Sequence, residues 1–373
     1  MSDLPGKRLL LLGEYGAFGR HLAVRLARLP DVTLTLAGPA SRPAEAFARE
    51  QALAYQVVNP DDDRALGLLL DGVFAVVNTW RPLMGGEYPL ATLCAERGVH
   101  YADVADEREE VTGIERFARQ AERSGARLVS GAGANPMLSA ALVDLARPDF
   151  DRLSEIHVFL VPGRDDGREL ATARLILSRL HDPIRFKERG RWQETRRWHR
   201  PRVLRFPLPI GRRRGYLSDL PELDIFPKRY EVGTVTARTG LRSIWYNLGI
   251  RLMSLIARWR DTRHPPGWLM ALLRLSPRLP GGRGRPGAAL RVELRGPCGG
   301  EECVHVLTVV VSAAPGLALT SAPLMALVRQ WLERGPGSAG AGSGEGLVGW
   351  NDIRLELQRE GTDVRLLRAW EKA

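Results

Sequence analysis

Three glycines stand three residues apart in Gly13-Glu-Tyr-Gly-Ala-Phe-Gly19, directly after the apolar run Arg8-Leu-Leu-Leu-Leu12 and before Leu22, Leu26 and Leu29 at helical spacing. A strand, a tight turn and a helix follow from that pattern. Glycines in such a turn let the backbone bend sharply and approach a pyrophosphate, while the helix amino terminus offers N–H groups to the phosphate charge. Gly13, Tyr15, Gly16, Ala17, Phe18 and Gly19 are therefore the candidate phosphate contacts of a dinucleotide. The spacing G-x-x-G-x-x-G is a variant of G-x-G-x-x-G, so its weight comes from the flanking strand and helix.

The next strand, Val32–Ala37, ends where an acidic residue would hold the ribose hydroxyls of NAD. The chain reads Gly38-Pro-Ala-Ser41-Arg42 there instead. A serine and an arginine suit a 2′-phosphate through charge-assisted hydrogen bonds, so Ser41 and Arg42 favour NADP, with NAD as the alternative.

These residues need a sheet to position them, and the following segments supply one. Ala54–Val58 reads as a strand, Asp63–Leu70 as a helix and Val73–Val77 as a buried strand ending at Asn78-Thr79. Helices near Tyr88–Arg97 and over Val111–Ser124 alternate with strands at His100–Val104 and Arg127–Ser130. That alternation is α/β, with a Rossmann-type doubly wound parallel sheet. Ligands of such sheets lie beyond the carboxyl ends of the strands, which makes Asn78 and Thr79 candidates for the cofactor's ribose or nicotinamide side.

Gly13–Gly19, Val76-Val-Asn78, Gly98-Val-His-Tyr-Ala-Asp-Val104 and Gly131-Ala-Gly-Ala-Asn-Pro-Met-Leu-Ser139 together resemble the saccharopine dehydrogenase-like NAD(P)-binding family, in order and spacing as well as content. The resemblance covers roughly the first 145 residues. It implies a Rossmann domain over 1–145 and a substrate or dimerisation domain over 146–315. That second domain is expected to be α+β with a mainly antiparallel sheet, and the segment 316–373 is expected to return to the first domain. It also implies nicotinamide-dependent hydride transfer to or from a small molecule, by a homodimer. Tyr101 and Asp103 are the titratable residues it places best for proton transfer, with His100 as a weaker third. The sequence departs from the family at Asn78-Thr-Trp-Arg-Pro82, where Trp80 and Arg81 replace smaller residues.

Beyond Pro148, Leu153–Val161 reads as a strand, Glu169–Leu180 as an amphipathic helix and Arg185–Trp192 as a polar strand or hairpin. The arginines between Arg196 and Arg214 surround Trp198 and Phe206 without the signature of a nucleic-acid-binding fold, and read as a solvated basic loop over a substrate cleft. Ile244–Trp259 is two-sided: Ile244, Leu248, Leu252, Leu255, Ile256 and Trp259 share one face, and Asn247, Arg251, Ser254 and Arg258 the other. It is too short to span a bilayer, and two readings stay open, packing on the domain's own sheet or lying in a lipid interface.

Pro265-Pro266 and Pro280–Gly287 read as linkers, and Leu290–Leu294 with Cys303–Val311 as a hairpin. Ser321–Leu332 reads as a helix capped by Ser321, Gly335–Gly346 as a flexible loop, and Trp350–Glu360 as a helix stopped by Gly361. Cys298, Cys303 and His305 lack a fourth ligand and a zinc spacing, so no metal is expected. The three cysteines are too few for a disulfide framework, and the amino terminus lacks a secretory pattern. A cytoplasmic protein is expected, with membrane association through Ile244–Trp259 as the alternative placement. The formal charge of +11 attracts anions of any kind and does not choose among them. Nucleophile-elbow, P-loop and zinc-protease motifs are absent. The expected function is an NADP-dependent oxidoreductase acting on an unassigned, lipid-like small molecule. The alternative is a dinucleotide-binding sensor or scaffold without turnover at a membrane surface.

Overall fold

The computed structural model describes residues 6–372 except 14, 60, 81–87, 164–175, 178, 181, 242, 257–266, 268–270, 272, 274, 276–286 and 313–316. The helix expected over Glu169–Leu180, the two proline-rich linkers, and Arg81 and Trp259 fall largely or wholly outside the described residues. The chain divides into two compact units, Met1–Leu138 with Thr320–Glu356, and Ser139–Leu319 with Leu357–Ala373.

The first unit begins with β1 (Lys7–Leu12), α1 (Ala17–Leu26), β2 (Val32–Gly38), α2 (Arg42–Glu50), β3 (Ala54–Val57), β4 (Ala75–Asn78), β5 (His100–Asp103) and β6 (Arg127–Ser130). Their order across the sheet is β6-β5-β4-β1-β2-β3, and every pairing is parallel. The switch point of this doubly wound sheet lies between β1 and β4. Leu9–Leu12 and Ala75–Val77 are buried, as strands covered on both faces must be. The single helix expected over Val111–Ser124 is broken into Arg108–Gly113, a 3-10 turn Ile114–Phe117 and Ala118–Ser124. The Tyr88 hydroxyl donates to the carbonyls of Glu109 (2.8 Å) and Glu110 (3.0 Å), which a continuous helix would use itself.

The second unit contains β7 (Glu155–Val161), β8 (Pro183–Glu188), β9 (Arg191–Arg196), β10 (Arg202–Arg205), β11 (Arg212–Leu217), β12 (Thr234–Thr239), β13 (Ala288–Cys298) and β14 (Glu301–Ser312). Later the chain adds β15 (Gly340–Ser343) to the first sheet, parallel to β6, and β16 (Asp363–Lys372) to the second, antiparallel to β14. The second sheet runs β10-β11-β12-β7-β13-β14-β16, and only β12 and β7 are parallel neighbours. The fold is α/β, a Rossmann-type parallel sheet joined to a second, mainly antiparallel one.

Further expectations need correction. The basic loop over 196–214 instead carries the antiparallel pair β10 and β11, because Arg202-Val-Leu-Arg205 finds a partner strand across a short turn. The glycine-rich tract Gly335–Gly346 holds β15; glycine weakens strand propensity, but the backbone ladder to β6 needs no side chains. The carboxyl-terminal segment does not return whole to the first unit, since β16 pairs with β14. Cys298 and Cys303 are joined in a disulfide across the β13–β14 hairpin, with a Cα–Cα distance of 6.0 Å, and the third cysteine, Cys94, is buried.

The helix Leu317–Arg334 starts before Ser321, so that residue is not its cap. Its hydroxyl meets His21 (3.0 Å) and Arg25 (2.9 Å) on α1. Arg25 and Arg329 both pair with the buried Glu356, at 3.0 and 2.6 Å, which ties the returning helices to α1.

Glu293, on β13, is 3% exposed and receives Arg202 (3.0 Å), Arg295 (2.8 Å) and, at 3.4 Å, Arg291. Burial works to raise its pKa, but the hydrogen bonds and charge of Arg295 and Arg202 outweigh it and hold the carboxyl at about 2. A depressed value stabilises the fold above the ordinary carboxylate range, and that contribution is lost as pH falls toward the folded-state value. Replacing Glu293 by Gln is expected to destabilise the protein at neutral pH by at most roughly 3 kcal/mol and to flatten its acid unfolding. Chemical denaturation followed across acidic pH checks this.

Candidate functional site

The end of β1 is shaped by contacts that tolerate no side chain. A Cβ on Gly13 would overlap the Thr79 hydroxyl, and one on Gly38 would overlap the Gly13 carbonyl. The Gly13 N–H donates to the Ala37 carbonyl (3.1 Å), so the two strand ends lie backbone against backbone. Thr79 closes the third side, its N–H and its hydroxyl both donating to the Leu12 carbonyl at 2.8 and 3.0 Å.

Gly16 is the amino-terminal cap of α1 and brings no side-chain hydrogen bond to it. A Cβ here would meet nothing within 4 Å, and Gly16 and Ala17 are exposed. The turn therefore leaves open space in front of the positive end of the helix, as a diphosphate requires. Phe18 and Gly19 are buried behind it. At Gly19 a Cβ would make ordinary contacts with Thr79 (3.7 Å) and Tyr15 (3.8 Å), so close helix–strand packing does not demand glycine there.

Tyr15 adopts φ +51° and turns its ring inward, leaving 3% exposed. Its hydroxyl donates to the Leu11 carbonyl, lies 3.1 Å from the Ala37 carbonyl, and accepts from the Ala37 N–H at 2.8 Å. Burial pushes its pKa far up. Only the backbone of Tyr15 faces the turn.

Ser41 is the amino-terminal cap of α2, its side chain accepting from the Ala44 N–H at 3.4 Å, and Arg42 follows at the first helical position, exposed. One cation that sequence reasoning missed stands beside them. Arg20, four residues after Gly16 on α1, donates to the carbonyls of Tyr15 (2.9 Å) and Pro43 (3.2 Å), with its guanidinium 5.3 Å over the Phe47 ring. It bridges the glycine turn and the start of α2. Its position one turn beyond Gly16 was the available signal.

At the ends of β4, β5 and β6 the structure brings Asn78, Tyr101 and Asp103 together. The Asn78 amide donates to the Tyr101 hydroxyl (3.0 Å), which donates to Asp103 Oδ2 (2.9 Å). Asp103 Oδ1 accepts from Ser130 Oγ (2.8 Å) and the N–H groups of Gly131 (3.0 Å) and Ala105 (3.0 Å). Burial raises the Asp103 pKa, with those hydrogen bonds opposing it, and burial with the neighbouring Asp103 charge raises that of Tyr101. Tyr101 is 0% and Asp103 1% exposed. Tyr101 and Asp103, expected from the sequence to transfer protons, are both enclosed, and their polar atoms are engaged by Asn78, Ser130, Gly131 and Ala105.

His100 begins β5 at the opposite end of the sheet, where it accepts from the Arg127 N–H (3.0 Å). Asn78 Oδ1 accepts the Trp80 N–H (3.0 Å), and the Trp80 ring packs against the core cluster that includes Leu10 and Tyr101.

Residues 9–129 match the family model described as the saccharopine dehydrogenase NADP binding domain. That stretch is a saccharopine dehydrogenase-like NAD(P)-binding domain. Two solved structures resemble the whole chain. The apo saccharopine dehydrogenase (L-Glu forming) of Saccharomyces cerevisiae aligns with a TM-score of 0.65 and 12% identity, covering 98% of this chain and 100% of that one. The homospermidine synthase of Legionella pneumophila, solved with NAD, aligns with a TM-score of 0.63 and 13% identity, covering 98% and 91%. At such identities the likeness concerns the fold. No curated protein matches the chain by sequence.

If the network holds strand ends rather than moving protons, removing the Tyr101 hydroxyl should act on stability. Tyr101→Phe leaves the Asn78 amide and Asp103 Oδ2 each short of a partner, and a loss of about 1–3 kcal/mol in denaturant unfolding is expected.

Proposed function

We propose that this protein is an NADP-dependent oxidoreductase that transfers hydride to or from a small molecule. The observation that carries the reading is Gly16: an uncapped helix start, open in front, at the switch point of a parallel sheet. The family match over the same residues supports it, as does the NAD in the homospermidine synthase neighbour.

The residues present fit a dinucleotide. Gly13, Gly16, Ala17 and the N–H groups of the first turn of α1 would hold the pyrophosphate. No carboxylate stands at the end of β2, and Gly38 cannot be replaced by one without displacing Gly13. Arg20 and Arg42, with the start of α2 behind Ser41, would take a 2′-phosphate, which is why NADP is preferred to NAD. Thr79 and the backbone after Asn78 would face the nicotinamide side. When bound, the nicotinamide supplies or accepts the hydride.

The chain's own part is positional. Asn78, Tyr101 and Asp103 lock the carboxyl ends of β4 and β5 to Ser130 and Gly131 of the next strand. Gly131 has φ +75°, and a Cβ on it would come within 2.6 Å of Pro136, so this corner admits only glycine.

A second reading, a dinucleotide-binding sensor without turnover, is favoured by one observation. The acid and phenol best placed by sequence, Asp103 and Tyr101, are only 1% and 0% exposed. Substrate turnover dependent on NADPH decides between the two.

Binding is tested by titrating purified protein with NADPH and NADH while following nicotinamide fluorescence. Gly16→Val should fold normally, since its side chain enters empty space, yet bind NADPH at least about tenfold more weakly because it fills the phosphate cradle. Arg20→Ala and Arg42→Ala should each weaken NADPH by about tenfold and leave NADH nearly unchanged. Unchanged NADPH affinity in Gly16→Val overturns the site, and tighter binding of NADH by the wild type overturns the choice of NADP.

A further inference from the structure

The helix Ile244–Ile256 is packed with its polar residues inward. Its inner face carries Tyr246, Ile250 and Met253, which join Trp198, Tyr216 and Leu241 in one buried cluster. On the same side Asn247 is 8% exposed, donating to the carbonyls of Leu241 (2.6 Å) and Ser243 (2.8 Å). Ser254 is fully buried and donates to the Arg197 carbonyl (2.7 Å), and Arg251 reaches the Trp198 carbonyl at 3.4 Å. The residues a surface helix would show to water are thus consumed by the protein.

The opposite face is apolar and open. Ile244, Leu248, Leu252 and Leu255 are 58%, 58%, 47% and 42% exposed, at successive spacings that keep them on one stripe. Single exposed aliphatic residues are ordinary, but a continuous stripe on a helix whose other face is already buried marks a contact surface.

Charge chooses the occupant. The helix is tied to the chain directly after β9, where Arg196 and Arg251 both act on His199 and, behind burial, lower its pKa. The β8–β9 hairpin, whose last strand runs into Arg197 held by Ser254 of the helix, exposes Arg191, Arg196 and Trp192, with Arg185 stacked 4.6 Å over the Trp192 ring. Glu194 is also exposed there, while Glu188 is paired with Arg200. A second copy of this chain would carry the same net positive charge, +11 over its whole length. An anionic bilayer would bring the opposite sign, together with an apolar boundary for the leucines and an interface for the tryptophan.

From this we infer that the Ile244–Ile256 helix and the adjoining basic hairpin form a docking surface for anionic membranes, the helix lying in the headgroup plane. No helix of the described residues is long and apolar enough to cross a bilayer, and the contact inferred here is with one leaflet. An apolar stripe of this length gives weak, reversible attachment by itself, and the arginines supply the second signal that such attachment needs. The inference does not rest on the coenzyme assignment, which concerns the other unit.

The test is flotation of the full-length protein with vesicles of phosphatidylcholine alone or with about a third phosphatidylglycerol, at low and high salt. Binding is expected only with the anionic lipid, and weakened by salt. The double variant Leu248→Asp with Leu252→Asp should reduce it at least about tenfold. Unaltered thermal unfolding would show that this variant is folded. A second measurement uses wild-type protein: bromolipids in the anionic vesicles should quench tryptophan fluorescence through Trp192. No binding to anionic vesicles, equal binding to neutral ones, or an unaffected double variant each overturns the proposal. So does a homodimer that the double variant converts to monomer without any vesicle binding.

Discussion

Three strand ends converge at the switch point of the first sheet, and there is no room for side chains between them. The Gly13 carbonyl lies where a Cβ on residue 38 would sit, and the Thr79 hydroxyl lies where a Cβ on residue 13 would sit. Backbone can approach backbone this closely only at glycine. The consequence is chemical as well as steric. A bare end on β2 cannot carry the carboxylate that selects ribose hydroxyls, and at Gly16 the start of α1 adds no side chain to the space in front of it. Positive charge stands beside that space in Arg20 and Arg42, from the helices on either side.

The polar groups at the neighbouring strand ends obey a different constraint. Asp103 has left water almost completely, which disfavours its ionised form, and it survives in the interior because Ser130, Tyr101 and two backbone N–H groups surround it. Satisfying so many donors fixes the carboxyl in place and with it the register of β5 against β6. Tyr15 does the same for β1 and β2, where its hydroxyl stands between Leu11 and Ala37 as an extra link in the ladder. Both residue types look catalytic in a sequence, and here their hydroxyl and carboxyl groups are hydrogen-bonded within the frame that presents the glycine turn.

The second unit distributes charge in the opposite manner. Its single deeply buried carboxylate on the central strands, Glu293, is matched by several arginines, so the sheet carries excess positive charge, in keeping with the chain as a whole.

Much of the first sheet was legible from residues 8–130, because buried parallel strands are short apolar runs and the glycine turn announces the first crossover. The places of Gly13 and Asn78 at strand ends and of Gly16 at a helix start were legible for the same reason. The strand Gly340–Ser343 was not, since glycine leaves no hydrophobic signal and the strand exists only because β6 offers it an unpaired edge. Nor could linear spacing tell that Tyr15, Tyr101 and Asp103 point into the core, because period and motif locate a residue on a strand without saying what closes over it. For Ile244–Ile256 the amphipathic pattern located the helix and its two faces. Which face meets the protein was decided by tertiary contacts: the carbonyls of Arg197, Trp198 and Leu241 needed donors, and only the polar side of the helix could supply them.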